Sequence, residues 1–210
     1  MAGLITGIDA GRVRDNLARI RAELPDTVEI LAAVKYVPLE ELATLAEAGI
    51  TLVGENRAQD LEVKATAHPG VFRWHFIGQL QSRKVKQILP HVELIHSVAS
   101  DSALRQLERH GTPDTEILVE ANVSGEDGKA GIAPGELGAF IARSPVRVVG
   151  LMTMPPFTDD PERSRPYFKA LRELAGAHAL EQLSMGTSQD YRVAAEEGAT
   201  IVRLGTILYA

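Results

Sequence analysis

Apolar positions along this chain follow two alternating periods. Val13, Leu17, Ile20 and Leu24 recur at helical spacing and predict an opening helix over Asp9 to Leu24, with Asp9 as its N-cap. Ile30-Leu31-Ala32-Ala33-Val34 is an unbroken apolar run, the pattern of a strand covered on both faces, so Glu29 to Lys35 reads as the first strand. The alternation then repeats. Strands are expected at Thr51–Glu55, Arg73–Gly78, Leu94–Val98, Glu116–Val123, Val146–Met154, Gln182–Gly186 and Ile201–Gly205. Between them lie helical stretches at Leu39–Ala48, Asn56–Ala67, Arg83–Ile88, Asp101–His110, Pro134–Ala142 and Asp190–Glu197. A further helix follows a proline-rich loop, with Pro166 in its first turn and Phe168, Leu171 and Leu174 as its buried stripe.

This order predicts an α/β chain folded as a single (β/α)8 TIM barrel over residues 1–210, with an extra N-terminal helix. An open doubly wound sheet is the alternative. It is disfavoured because the first strand runs into Lys35-Tyr36-Val37-Pro38, with none of the glycines of a dinucleotide-binding turn.

Composition narrows the classes of function. The net charge of −6 argues against a nucleic-acid partner or an anionic membrane surface. The chain has no cysteine, which removes disulfides, thiolate metal sites and a cysteine nucleophile, and suits a reducing compartment. The opening residues carry no basic segment and no long apolar core, so a cytoplasmic protein is expected.

Candidate chemistry gathers at the C-terminal ends of the strands, where barrel enzymes build their sites. Lys35 follows strand one on the face shared by Leu31 and Ala33. Burying an unpaired ammonium is costly, and condensation with an aldehyde to an imine removes the charge. A lysine that simply surfaces at a strand end has the same pattern. Gly186-Thr187-Ser188 and Gly205-Thr206 follow strands seven and eight, where barrels often hold phosphate on backbone N–H groups. Helix caps and tight turns need the same residues there. Arg203 shares its strand face with Ile201 and Gly205, opposite Val202 and Leu204, and so points into the barrel. An arginine there needs an acceptor. Glu55, Glu120 or the ring nitrogen of a cofactor would serve. Lysine, phosphate cradle and arginine together describe a pyridoxal 5′-phosphate site.

Other residues have simpler readings. His75 and His96, with Glu55, could hold a metal, but a hydrogen-bonded core role fits two histidines better, and no metal site is assigned. Arg83-Lys84-Val85-Lys86 reads as a solvated helix face, and Lys129 as a surface lysine in a glycine-flanked loop.

Several motifs resemble the YggS/PROSC-type pyridoxal phosphate homeostasis proteins, whose barrel is that of the alanine racemase N-terminal domain. They are the strand ending in Lys35, Gly54-Glu55-Asn56, Trp74 to Gln81, Lys129-Ala130-Gly131, Gly150-Leu151-Met152, Leu183 to Gly186, Ser188 with Asp190, and Val202-Arg203-Leu204-Gly205. The resemblance implies an internal aldimine on Lys35 and a ring-nitrogen contact from Arg203. It implies phosphate contacts from Ser188, Gly205 and Thr206, with Met185 and Gly186 close by and Asn56 near the ring's polar edge. The chain departs from the family pattern at Val37, where a second lysine is common, at Thr187, where methionine is usual, and in its last residues, Ile207 to Ala210.

Three functions compete. One is a carrier or buffer of pyridoxal 5′-phosphate, monomeric by resemblance, with apo forms of enzymes that use the cofactor as recipients. The second is an amino-acid racemase, which needs acid/base groups on both faces of the substrate carbon. An arginine at the ring nitrogen also disfavours the protonated pyridinium that makes a strong electron sink. The third is a Schiff-base aldolase for a phosphorylated sugar, for which no acid/base pair can be assigned.

Overall fold

The structure, a computed structural model, describes residues 3–126, 128 and 130–210. Among these, eight parallel strands close into a barrel in sequence order. They are β1 (Glu29–Ala33), β2 (Leu52–Glu55), β3 (Arg73–Phe76), β4 (Leu94–Val98), β5 (Glu116–Glu120), β6 (Arg147–Met152), β7 (Gln182–Thr187) and β8 (Ile201–Leu204). Closure is made by β1 against β8, with Leu31 opposite Arg203. The (β/α)8 expectation holds, and the open sheet is excluded.

The extra helix is present as α1 (Ala10–Arg21), and the Asp9 carboxylate accepts from the Arg12 N–H at 2.7 Å. The outer ring contains α2 (Leu42–Glu47), α3 (Ala58–Ala67), α4 (Val85–Ile88), α5 (Asp101–His110), α6 (Leu137–Ala142), α7 (Arg165–Ala177) and α8 (Tyr191–Glu196). A last turn, α9 (Thr206–Tyr209), follows β8. Pro166 sits in the first turn of α7, and Phe168 and Leu171 are buried as the stripe predicts.

Most element ends are shorter than the pattern suggests, because turns form where the apolar run still continues. β1 stops at Ala33, since the Val37 N–H reaches back to the Val34 carbonyl at 3.0 Å. Lys35 therefore lies in a turn beyond the strand. β5 stops at Glu120, and the chain leaves the sheet through a single bridge between Ala121 and Ile132.

Two apolar layers form the core. The larger lies between strands and helices and includes Ile30, Ala32, Val34, Val53, Ile95, Val119, Met185 and Val202. The smaller fills the barrel with Leu31, Leu52, Leu94, Leu118, Met152 and Ile201. Burying each such side chain contributes about 1.5–3 kcal/mol. The barrel interior also holds four polar residues, His75, His96, Ser184 and Arg203, all buried. No helix among the described residues is long and apolar enough to cross a membrane.

Candidate functional site

A cleft of about 450 Å³ opens at the C-terminal mouth of the barrel. Its walls include Ala33, Asn56, Ser97, Glu120, Thr187 and Arg203, so residues from six strand ends converge on one space.

Arg203 forms the buried floor. It donates through Nη1 to Ser184 Oγ, and through Nη2 to the Thr153 carbonyl at 3.0 Å and to Met154 Sδ at 2.8 Å. All three acceptors are neutral. Burial pulls the guanidinium down to about 10, while the charges of Asp190 and Glu120 push it up. It remains a cation at neutral pH. A guanidinium has five N–H donors, so this one retains donors beyond those three bonds. Neither carboxylate considered from the sequence bonds it. Glu55 turns outward to α3, where it accepts from Lys64 Nζ at 2.6 Å. Glu120 shares the cleft and acts on Arg203 through its charge.

Asn56 stands across the mouth. Its backbone N–H is held by Glu55 Oε1 at 2.7 Å. Gly78 is required beside it, because a Cβ there would lie 2.1 Å from the Asn56 carbonyl oxygen. The Gly78 carbonyl in turn accepts from Ser97 Oγ. These contacts fix the Asn56 backbone, and the residue lines the cleft with its side-chain amide bonded by no described residue.

The turns after β7 and β8 meet. Gly186 has φ +91° and a Cβ there would strike Ala194 Cβ at 2.5 Å, so glycine is needed for both conformation and packing. Asp190 folds the turn by accepting from the Thr187 N–H at 2.7 Å and from its hydroxyl at 3.1 Å. Ser188 Oγ accepts from the Gly205 N–H at 3.2 Å. A Cβ on Gly205 would meet nothing within 4 Å, and Thr206 is exposed beside it. Open space and a hydroxyl thus coincide beside Gly205, where a phosphate could be received.

Lys35 is half-buried, with Nζ 4.8 Å from the centroid of the Tyr36 ring. It lies two residues beyond the wall residue Ala33. The sequence argument from a fully buried ammonium is corrected here, since the turn at Val34 lifts the lysine out of the strand. Met185 immediately precedes Gly186 on β7. Its side chain is fully buried in the layer between barrel and helices. Val37, where the resemblance led one to look for lysine, is a core residue. Lys129 lies outside the described residues.

His75 and His96 are partners in the core. His75 Nδ1 and His96 Nε2 are 3.0 Å apart, and His96 Nδ1 is 2.8 Å from Ser184 Oγ. Among the described residues no group of acidic and imidazole side chains has the arrangement of a metal site. Ser184 and Lys64 were missed from sequence. Ser184 shares a strand face with Gly186, and Lys64 falls three residues after buried Leu61, on the inward stripe of α3.

The alanine racemase N-terminal domain model matches residues 8–210. A pyridoxal phosphate homeostasis protein of Aquifex aeolicus is 41% identical over 195 residues, 86% of this chain and 86% of the relative. The chain belongs to this family. A homeostasis protein of Vibrio cholerae is 34% identical, covering 87% of the chain and 85% of the relative. PipY of Synechococcus elongatus, solved with PLP bound, superimposes with a TM-score of 0.82 at 29% identity, over 94% of this chain and all of that one. A lysine/ornithine decarboxylase of Vibrio vulnificus, at 15% identity and TM-score 0.71, shares the fold.

The residues at the mouth fit pyridoxal phosphate. A cation with spare donors lies under a cleft roomy enough for the cofactor, Asn56 lines that cleft, and the space beside Gly205 is open to an anion.

Proposed function

We propose that this protein binds pyridoxal 5′-phosphate at the barrel mouth and holds, buffers or delivers it. Arg203 is the observation that carries the reading. A guanidinium buried on neutral acceptors is suited to face a pyridine nitrogen that is itself an acceptor. Lys35 supplies the amine that condenses with the cofactor's aldehyde, with loss of one water. Ser188, Gly205 and Thr206, with the Gly186 backbone, receive the phosphate, and Asn56 borders the ring. When bound, the cofactor offers an electrophilic carbon and an electron-accepting ring. Arg203 restrains the second property, because a cation beside the ring nitrogen opposes its protonation. This supports a carrier more than a catalyst. Condensation is reversible, so hydrolysis or exchange with another amine returns the aldehyde to solution. The recipients are apo enzymes that use the same cofactor, and the carrier is read as a cytoplasmic monomer, which its cysteine-free composition suits.

The test is transfer. Cofactor-loaded protein is mixed with an apo enzyme that needs pyridoxal phosphate, with and without a trap for free cofactor. Recovery of activity in the presence of the trap supports delivery, and recovery only in its absence supports buffering. A purified protein that shows no visible absorption band after incubation with the cofactor, and no binding by titration, sinks the proposal.

A further inference from the structure

The four polar side chains inside the barrel form one chain across it, from β3 through β4 and β7 to β8. We propose that His75, His96 and Ser184 are positioning residues, a one-way hydrogen-bond relay that fixes Arg203 for a ligand ring bearing an acceptor nitrogen. The inference rests on the cofactor reading above and concerns what sets that site's choice of ring.

The direction of the relay follows from donors and acceptors. Arginine can only donate, so Ser184 Oγ accepts from Arg203 Nη1. The hydroxyl proton then needs an acceptor, because a buried donor left unmade is costly. His96 Nδ1, at 2.8 Å, is its partner among the described residues, and must be the unprotonated ring nitrogen. His96 consequently carries its proton on Nε2 and donates to His75 Nδ1 at 3.0 Å. The opposite arrangement, with His96 Nδ1 donating to the serine, would strand the serine proton inside the barrel. One tautomer pattern therefore satisfies every link. Burial keeps both rings neutral, holding His75 at about 3 and His96 well below the ordinary histidine value.

A neutral relay has a consequence for the site. The guanidinium is anchored on β7 by Ser184 and beyond β6 by the Thr153 carbonyl. Its bonded partners are neutral, so the carboxylates that act on its charge, Glu120 in the same cleft and Asp190, do so without a hydrogen bond to it. An arginine in direct contact with a carboxylate would be equally well placed but less attractive to a neutral pyridine nitrogen. Ser184 and the two histidines thus hold the arginine without discharging it.

The experiment compares pyridoxal phosphate with its 1-deaza analogue, in which C–H replaces the ring nitrogen. Both retain the aldehyde and phosphate. Binding to the wild-type protein, Ser184→Ala and His96→Phe is measured by equilibrium titration, with circular dichroism confirming the fold. The wild type is expected to favour the natural ring by about 10-fold or more, the scale of one charge-assisted hydrogen bond. Both variants should weaken pyridoxal phosphate by a similar factor and leave the analogue nearly unchanged, so the preference collapses towards parity. Loss of affinity for both ligands in equal measure, or an intact preference in Ser184→Ala, overturns the relay and leaves the cofactor reading standing. A wild-type protein that binds neither ligand overturns the cofactor reading, and the relay falls with it.

Discussion

Lys64, on the inward face of α3, donates to the Val34 carbonyl at 2.7 Å, one residue before Lys35. The same ammonium donates to Glu55 Oε2 at 2.6 Å, one residue before Asn56. A single buried cation thus ties together the last turns of two strands that carry candidate site residues. The Tyr209 hydroxyl adds a third tie, donating to the Ala33 carbonyl at 3.1 Å. The backbone leading into the lysine turn is thus held by α3 and α9.

Removing Lys64 should therefore harm both stability and binding. Lys64→Met leaves Glu55 buried, charged and short of its partner, which costs about 3–5 kcal/mol for a broken buried pair. Urea unfolding measures the loss. Adding Glu55→Gln to the same protein should recover much of it, because the stranded charge is then gone. A single variant as stable as the wild type would show that the pair carries no weight.

Lys35→Ala should abolish the borohydride-stable adduct. Reduction of the cofactor-loaded protein, digestion and mass spectrometry locate the adduct in the wild type at Lys35. The variant should retain weak binding, since Arg203 and the turns after β7 and β8 are untouched. An adduct confined to another lysine would remove Lys35 from its proposed role.

The barrel was legible in the sequence because strand and helix periods alternate without interruption, and parallel strands covered on both faces leave plain apolar runs. Arg203 was legible for the same reason, since Ile201, Arg203 and Gly205 fall on the face opposite two apolar residues. What stayed hidden was three-dimensional. Nothing local shows that β1 ends at Ala33, because the apolar run continues through Val34 while a turn has already begun. Glu55 could have faced either layer, and only its pairing with Lys64 shows that it faces α3. The relay links residues up to 88 positions apart, from His96 to Ser184, so no motif spacing reveals it.

Stability should fall as the solution is acidified below about pH 6.5. An unfolded histidine protonates near 6.5, whereas His75 in the folded barrel holds off until about 3, since burial penalises its charged form. Between those values the unfolded chain binds a proton that the folded one refuses. The folded state loses on the order of 1.4 kcal/mol per pH unit for this group, with His96 acting in the same direction. Above pH 6.5 neither ring contributes. Urea midpoints at pH 7.0 and about 5.5 test this above the range where most carboxylates titrate. A midpoint that does not move would contradict the buried neutral pair, and His75→Gln should reduce the shift.

On the proposed reading the phosphate sits where the two turns meet, so the cofactor should bind more tightly than its dephosphorylated form. Ser188 Oγ already takes the Gly205 N–H, which leaves its own proton to donate outward, and the space beside Gly205 is open. A hydrogen bond to a charged group contributes about 1.5–3 kcal/mol, so Ser188→Ala should weaken pyridoxal phosphate roughly 10- to 100-fold. Pyridoxal, which has no phosphate to lose contact with, should bind Ser188→Ala and wild type alike. Titration of both ligands against both proteins separates a phosphate contact from a general disturbance of the turn. If the wild type bound pyridoxal as tightly as pyridoxal phosphate, the anion would not be held at this turn, and the cofactor would depend on Lys35 and Arg203 alone.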